Sequence, residues 1–275
     1  MPFEKTAASF RKKTTRCNAI FFKNMLSCIL PSYRDPLVHK TTQSILDNAV
    51  GEVEVINVYD GYWDTPIADS RVKALHLGKN RGMRGAINAG VAISKGEYLM
   101  RADCHQSFAK GFDKVITDNM EDNWIVTPRR YFLDPVRWKR MNLPPVDFCK
   151  LIIGGKGGGR KFSAQPWKER DEKMKEVMIA ETEGMQGSCW FMKRIWWDKV
   201  IGELQTEGYG SLIQDSHEMH FKTLKAGGRL MLNKGTWHAH KHRDFPRTHN
   251  NGIPENPANC QDGYKYALEV WEDYF

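Results

Sequence analysis

An α/β fold built on a central, mostly parallel sheet flanked by helices is the class this sequence predicts. Three observations lead there. Short apolar runs suited to buried strands alternate with helix-period segments through residues 25–128. The first two of these runs stop at turn-forming residues, Pro31-Ser32-Tyr33 and Asp60-Gly61. A carboxylate and an imidazole, Asp103 and His105, then leave the fourth run, at the edge where such sheets gather ligands.

Leu26 to Leu30 forms the first expected strand, apolar throughout and therefore buried on both faces. A helix follows from about Pro36 to Asn48, then a second strand from Val53 to Tyr59 and a short third one from Lys73 to Leu77. Asn80 to Gly85 turns into a helix carrying Ile87, Val91 and Ile93. Glu97 to Ala102 is the fourth strand, and Trp124 to Pro128 a further one. Residues 129–183 lose clear periodicity; they hold Pro144-Pro145, a glycine-rich loop at 154–159 and a charged helix expected near 167–180. The glycine loop lacks the Lys-Ser/Thr ending of a nucleotide P-loop, and its backbone freedom suits a mobile substrate-side loop. Order returns with a strand at Gly187–Met192, a short helix holding Trp196 and Trp197, a helix at Ile213–Ala226 ended by Gly227-Gly228, and a strand at Arg229–Leu232 leading into Trp237-His238-Ala239-His240.

The bulk properties remove several classes. The chain has 275 residues, 41% apolar and 27% charged, an ordinary globular balance with enough apolar residues for a core. No window approaches the length of apolar sequence that a membrane-spanning helix needs, and Ala19–Pro31, interrupted by Lys23 and Asn24, lacks a signal-peptide cleavage pattern. Six scattered cysteines without a C-x-x-C pair argue against zinc ribbons and suit a reducing compartment, so a cytoplasmic protein is expected. The net charge of +8 is concentrated: between Arg129 and Ala180 there are 13 Lys/Arg against 6 Asp/Glu. Such a patch suggests a polyanionic partner, the plainer alternative being a solvated charged face.

Asp103 and His105, one residue apart at a strand end, point the same way and can reach one divalent cation together. A cation so placed is suited to gripping a diphosphate. An ordinary strand end explains an isolated Asp-x-His equally well, and neighbouring motifs tip the balance. Asn80-x-Gly82-x-x-x-Ala86-x-Asn88-x-Gly90, Pro31-Ser32-Tyr33-Arg34, Asp60-Gly61 and the triplet itself together resemble the nucleotide-sugar glycosyltransferases of the GT-A fold, a Rossmann-like architecture. The likeness is to the large family-two group and, in its Asp-x-His form, to the polypeptide N-acetylgalactosaminyltransferases. It covers 25–128 well and 184–242 more loosely.

The resemblance implies a single domain over 1–275. Residues 25–128 would form its nucleotide-sugar half, 129–183 a basic acceptor-side insertion, and 184–275 the acceptor and metal-completing half. It also implies Mn2+ or Mg2+ as cofactor and a UDP-sugar as donor. Pro31, Tyr33 and Arg34 would cradle the base, Asp60 would meet the uracil or ribose, and Asn80 and Gly82 would shape the nucleotide site. Arg84 and Lys241 would add positive charge near the phosphates. Asp103 and His105 would hold the metal, completed by His238 or His240 from a distant strand. Gly187-Ser188 would lie under the donor sugar. Asp215, in the place of a general base and preceded here by Gln214 where relatives carry Glu, is the expected base. Glu218, one turn later, is its rival. His217, His220 and the Trp190, Trp196, Trp197 cluster are expected to pack.

The expected acceptor is polyanionic. Arg129, Arg130, Arg137, Lys139, Arg140, Arg160 and Lys161 interleave with Tyr131, Phe132, Trp138 and Phe162, as in surfaces that track phosphates and stack bases. DNA bearing a hydroxymethylated pyrimidine, as in viral enzymes that glycosylate their own genomes, is the favoured form. Two other classes fit the sequence: a transferase acting on cell-surface polysaccharide, lipid carrier or protein, and a non-catalytic nucleotide-sugar or nucleic-acid binding module.

Overall fold

A computed structural model describes residues 21–154, 160–210, 214–242, 248–249, 253–254 and 257–274. Its N-terminal half runs β1 (Phe22–Ser32), α1 (Val38–Asn48), β2 (Val53–Asp60), β3 (Val72–Leu77), α2 (Gly82–Ile93) and β4 (Gly96–Ala102). These strands lie parallel in the order β4-β1-β2-β3. Alternate residues of β1 explain its unbroken apolar sequence. Leu26, Cys28 and Leu30 pack in one core layer with Val38 and Ile45 of α1, while Ile29 packs in the other with Ala86, Ile87 and Val91 of α2.

The remaining elements are β5 (Gln106–Phe108), α3 (Phe112–Thr117), β6 (Trp124–Asp134), β7 (Lys139–Arg140), β8 (Cys149–Ile153), β9 (Phe162–Pro166), α4 (Lys168–Lys173), β10 (Ile179–Glu181), β11 (Cys189–Lys193), α5 (Arg194–Trp196) with a π-turn at Trp197–Ile201, α6 (Asp215–Lys225), β12 (Arg229–His240) and α7 (Pro257–Trp271). The sheet order is β10-β12-β6-β11-β4-β1-β2-β3. Parallel pairing therefore holds in the first half and between β6 and β12, whereas β11 is inserted antiparallel to both β4 and β6.

The region 129–183 is more regular than its sequence suggests. β6 continues to Asp134, and β8 and β9 form a hairpin. The charged helix expected near 167–180 shrinks to α4, which buries no residue; Ile179–Glu181 instead pairs with β12 as an edge strand. Exposed charges at helical spacing supply no burial, while Ala180 joins a small core with Phe148 and Leu232. Most of the glycine-rich loop, 155–159, and Ile213 lie outside the described residues. The tryptophans pack as expected: Trp190 is fully buried and stacks on Trp197 with centroids 6.0 Å apart. Cys28, Cys104, Cys149 and Cys189 are buried free thiols, and Cys17 lies outside the described residues.

Candidate functional site

A cleft of about 710 Å³ opens at the carboxyl ends of β1, β2 and β4 and continues toward the ends of β6 and β12. At one end it is lined by Pro31, Tyr33, Arg34, Asp60, Asn80 and Gly82. Asp60 is buried, and its two carboxylate oxygens accept the backbone N–H groups of Arg81 (2.6 Å) and Gly82 (2.8 Å). It thus caps the start of α2, where the helix dipole favours a negative charge. Burial pushes its carboxyl above the usual range against these hydrogen bonds. Gly82 has φ +73°, a conformation other residues rarely adopt, so the Asn80-x-Gly82 turn needs a glycine there. The phenolic oxygen of Tyr33 is buried without a hydrogen-bond partner among the described residues.

The Ala86-x-Asn88-x-Gly90 half of the motif is structural. Asn88 exchanges two hydrogen bonds with the backbone of Leu204, both 2.9 Å. Gly90 sits where an added Cβ would meet Ile29 Cγ2 at 2.5 Å, so its absence of side chain lets α2 close on the sheet.

At the middle of the cleft, Asp103, His105 and His240 place their ligand atoms within 4.8 Å of one another. His240 Nε2 lies 3.1 Å from Asp103 Oδ2. That matches neighbouring ligands around a small cation, which stand about 3 Å apart when each bond is about 2.1 Å. His105 donates from Nδ1 to Asp35 Oδ2 at 2.8 Å, leaving its buried Nε2 without a hydrogen bond among the described residues and 4.0 Å from Asp103 Oδ2. Asp35 is itself held by the Leu37 N–H at 2.9 Å. This carboxylate–imidazole pair orients a nitrogen in the way metal sites require. Arg101, buried in β4, donates to Asp103 Oδ1 at 2.6 Å and to the Gly187 carbonyl. Burial opposes ionisation of Asp103, but Arg101 and His240 outweigh it and hold the carboxyl well below the usual range. Burial keeps His240 neutral at ordinary pH, its pKa lowered to about 4 despite the Asp103 hydrogen bond. A carboxylate and two imidazole nitrogens are a donor set that fits a divalent cation.

The structure separates the two candidate histidines of β12. His238 is fully buried, its Nε2 3.5 Å from Ser188 Oγ and its ring beside Phe108. Two residues back from the strand end, it sits about 7 Å deeper than His240 and is not part of the Asp103–His105–His240 group. Arg84 and Glu218 also fall elsewhere. They form a fully buried ion pair, in which Arg84 also donates to the Gln205 carbonyl (2.8 Å) and lies over the Tyr209 ring. Glu218 further pairs with Lys222 at 2.7 Å. A carboxylate so engaged is unsuited to general-base work, and a guanidinium so enclosed cannot reach a phosphate. Lys241 hydrogen-bonds through its backbone N–H to the His105 carbonyl and is not among the cleft-lining residues.

The far end of the cleft holds Arg130, Gln186, Gln214, Asp215, His217 and His242. Gln214, at φ +56°, precedes α6, and Asp215 opens that helix with a carboxylate that makes no hydrogen bond or ion pair among the described residues. Buried oxygens of Gln186 and Gln214 and both nitrogens of His217 also lack protein partners there. Gly187 approaches Ser216 so closely that a Cβ would stand 3.2 Å from its side chain. Asp35, Arg101, Gln186 and Arg130's place in the cleft escaped the sequence reading. Arg101 alone left a signal, a charge inside an apolar strand that must find a partner.

Comparison with known proteins agrees with this architecture. The model of the family "Glycosyl transferase family 2" matches residues 27–201. No curated protein matches by sequence. Among 356 solved chains that share the fold is the crystal structure of GalNAc-T7 with UDP, GalNAc and Mn2+. It superimposes with a TM-score of 0.69 at 14% identity, covering 91% of this chain and 49% of that one. The chain thus spans about half the length of that structure. With the family model matching well over half of its residues, this chain belongs to glycosyl transferase family 2.

Proposed function

We propose that this chain is a metal-dependent glycosyltransferase that moves a sugar from a UDP-sugar to a hydroxyl acceptor. The observation that carries the reading is the Asp103–His105–His240 cluster, set in the cleft between the Asp60 end and Asp215. The structure it resembles in fold, GalNAc-T7, holds UDP, GalNAc and Mn2+. Asp103, His105 and His240 would hold the ion; Mn2+ or Mg2+ bound there would offset charge developing on the departing diphosphate. Tyr33, Arg34 and Asp60 would bind and orient the nucleoside. Asp215 would accept the proton of the acceptor hydroxyl from its place on α6. Gln186, Gln214 and His217 offer unpaired polar atoms for sugar hydroxyls.

The acceptor in this reading is a polyanion, with DNA carrying a hydroxymethylated pyrimidine the favoured form. Arg137 and Lys139 on the β6–β7 hairpin are exposed and support it. Several of the basic and aromatic residues counted from sequence are already engaged. Arg129 makes a two-pronged bond to Asp147, Arg160 pairs with Glu272, Arg140 covers Tyr131, and Phe162 is core. The support thus rests on the hairpin. No helix among the described residues is long and apolar enough to cross a membrane.

The test is UDP release from a panel of UDP-sugars with Mn2+, followed by labelled transfer to modified DNA, unmodified DNA and polysaccharide. Release that is abolished by chelator and in Asp103→Ala supports the enzyme. Asp215→Asn should lower transfer about 100-fold or more while UDP binding is retained. Binding of UDP without turnover would favour a binding module, and transfer only to polysaccharide, lipid carrier or protein would move the acceptor.

A further inference from the structure

We infer that Arg130 holds the outer phosphate of the donor's diphosphate, an assignment that rests on the nucleotide-sugar reading above. Arg130 stands on β6, paired in register with His238 of β12, and its backbone carbonyl is tied to the Val146 N–H at 2.8 Å. Its side chain lines the cleft together with His240 and His242. Other arginines around this core have carboxylate partners: Arg84 has Glu218, Arg101 has Asp103, and Arg129 has Asp147. Arg130 makes no ion pair or side-chain hydrogen bond among the described residues. Arg130 is half-buried, and a guanidinium held in a cleft without a counter-charge is suited to receive an anion. The planar fork of its donors suits a phosphate.

Its position along the cleft says which phosphate. The Tyr33–Asp60 end lies over β1 and β2, the triad lies at the ends of β4 and β12, and β6 lies between β12 and β11. A nucleoside diphosphate seated at the β1–β2 end passes Asp103 at the end of β4 before it reaches β6, so the second phosphate is the one that comes to Arg130.

The experiment is calorimetric titration of the full chain with UDP and with UMP, each with Mn2+, alongside melting of the ligand-free protein. Arg130→Met should weaken UDP about tenfold or more and change UMP by no more than about twofold. The melting temperature of ligand-free Arg130→Met should be unchanged or higher, because no ion pair or side-chain hydrogen bond is lost and the aliphatic stem is replaced. Arg130→Lys, which keeps the charge but not the fork, should fall between wild type and Met. Unchanged UDP affinity, equal losses for UDP and UMP, or a lowered ligand-free melting temperature would each overturn the assignment. A wild-type chain that binds no UDP with Mn2+ fails at the earlier step and sinks the nucleotide-sugar reading itself.

Discussion

Asp103 shows how burial and neighbouring charge are set against each other on one side chain. Burial alone would favour its neutral form, yet Arg101 at 2.6 Å and His240 at 3.1 Å keep it ionised. His105 is prepared differently, through the tautomer that Asp35 imposes at Nδ1. His240→Ala should therefore abolish tight Mn2+ binding. Asp35→Asn, which touches no metal, should weaken it about 10- to 100-fold. Electron paramagnetic resonance titration of free Mn2+ measures both; full affinity in His240→Ala would remove that residue from the site. The spacing of Asp103 and His105 was readable because both leave one strand. The choice between His238 and His240 was not, since both lie on the same strand face and the pairing of β12 with β5 and β6 sets their depth.

Elements decide which charged residues are free to act. α6 presents Asp215 to the cleft from its first turn and turns Glu218, a turn later, against Arg84. The partners are 134 residues apart in sequence, so local spacing could not reveal the pairing. Glu218→Ala should cost about 3–5 kcal/mol by leaving Arg84 buried and unpaired. Urea unfolding would register this as a lowered midpoint, and a variant as stable as wild type would refute it. The approach of α2 to the sheet rests on Gly90. A methyl there meets the β-branched side chains of Ile29 and Val58, so Gly90→Ala should lose about 1–3 kcal/mol. Thermal melting is the check, and a rise in melting temperature would contradict the close packing assigned to the motif.

For the whole molecule, buried histidines set the acid limit of stability. Burial lowers the pKa of His217 to about 4 and that of His220 to about 3. The unfolded chain takes up these protons near pH 6.5, before the folded chain can. Below that point the unfolded state binds more protons, so stability falls as pH drops from about 6.5 toward 4 and is fully present above neutrality. Urea midpoints at pH 7, 6 and 5 should decline in that order; a flat series would mean these histidines are solvated in the folded state. By itself the sequence determined the β1–β4 and α1–α2 half, the turn at Asp60 and the Asp103–His105 pair, because strand alternation, turn residues and spacing along one strand are local properties. Only the tertiary structure decided the third member of the cluster, Asp35 and Arg101 behind it, the withdrawal of Arg84 and Glu218, and the placing of Arg130. Each of those depends on strand register or on charges brought together from distant parts of the chain, where burial turns a weak surface attraction into an obligatory pairing.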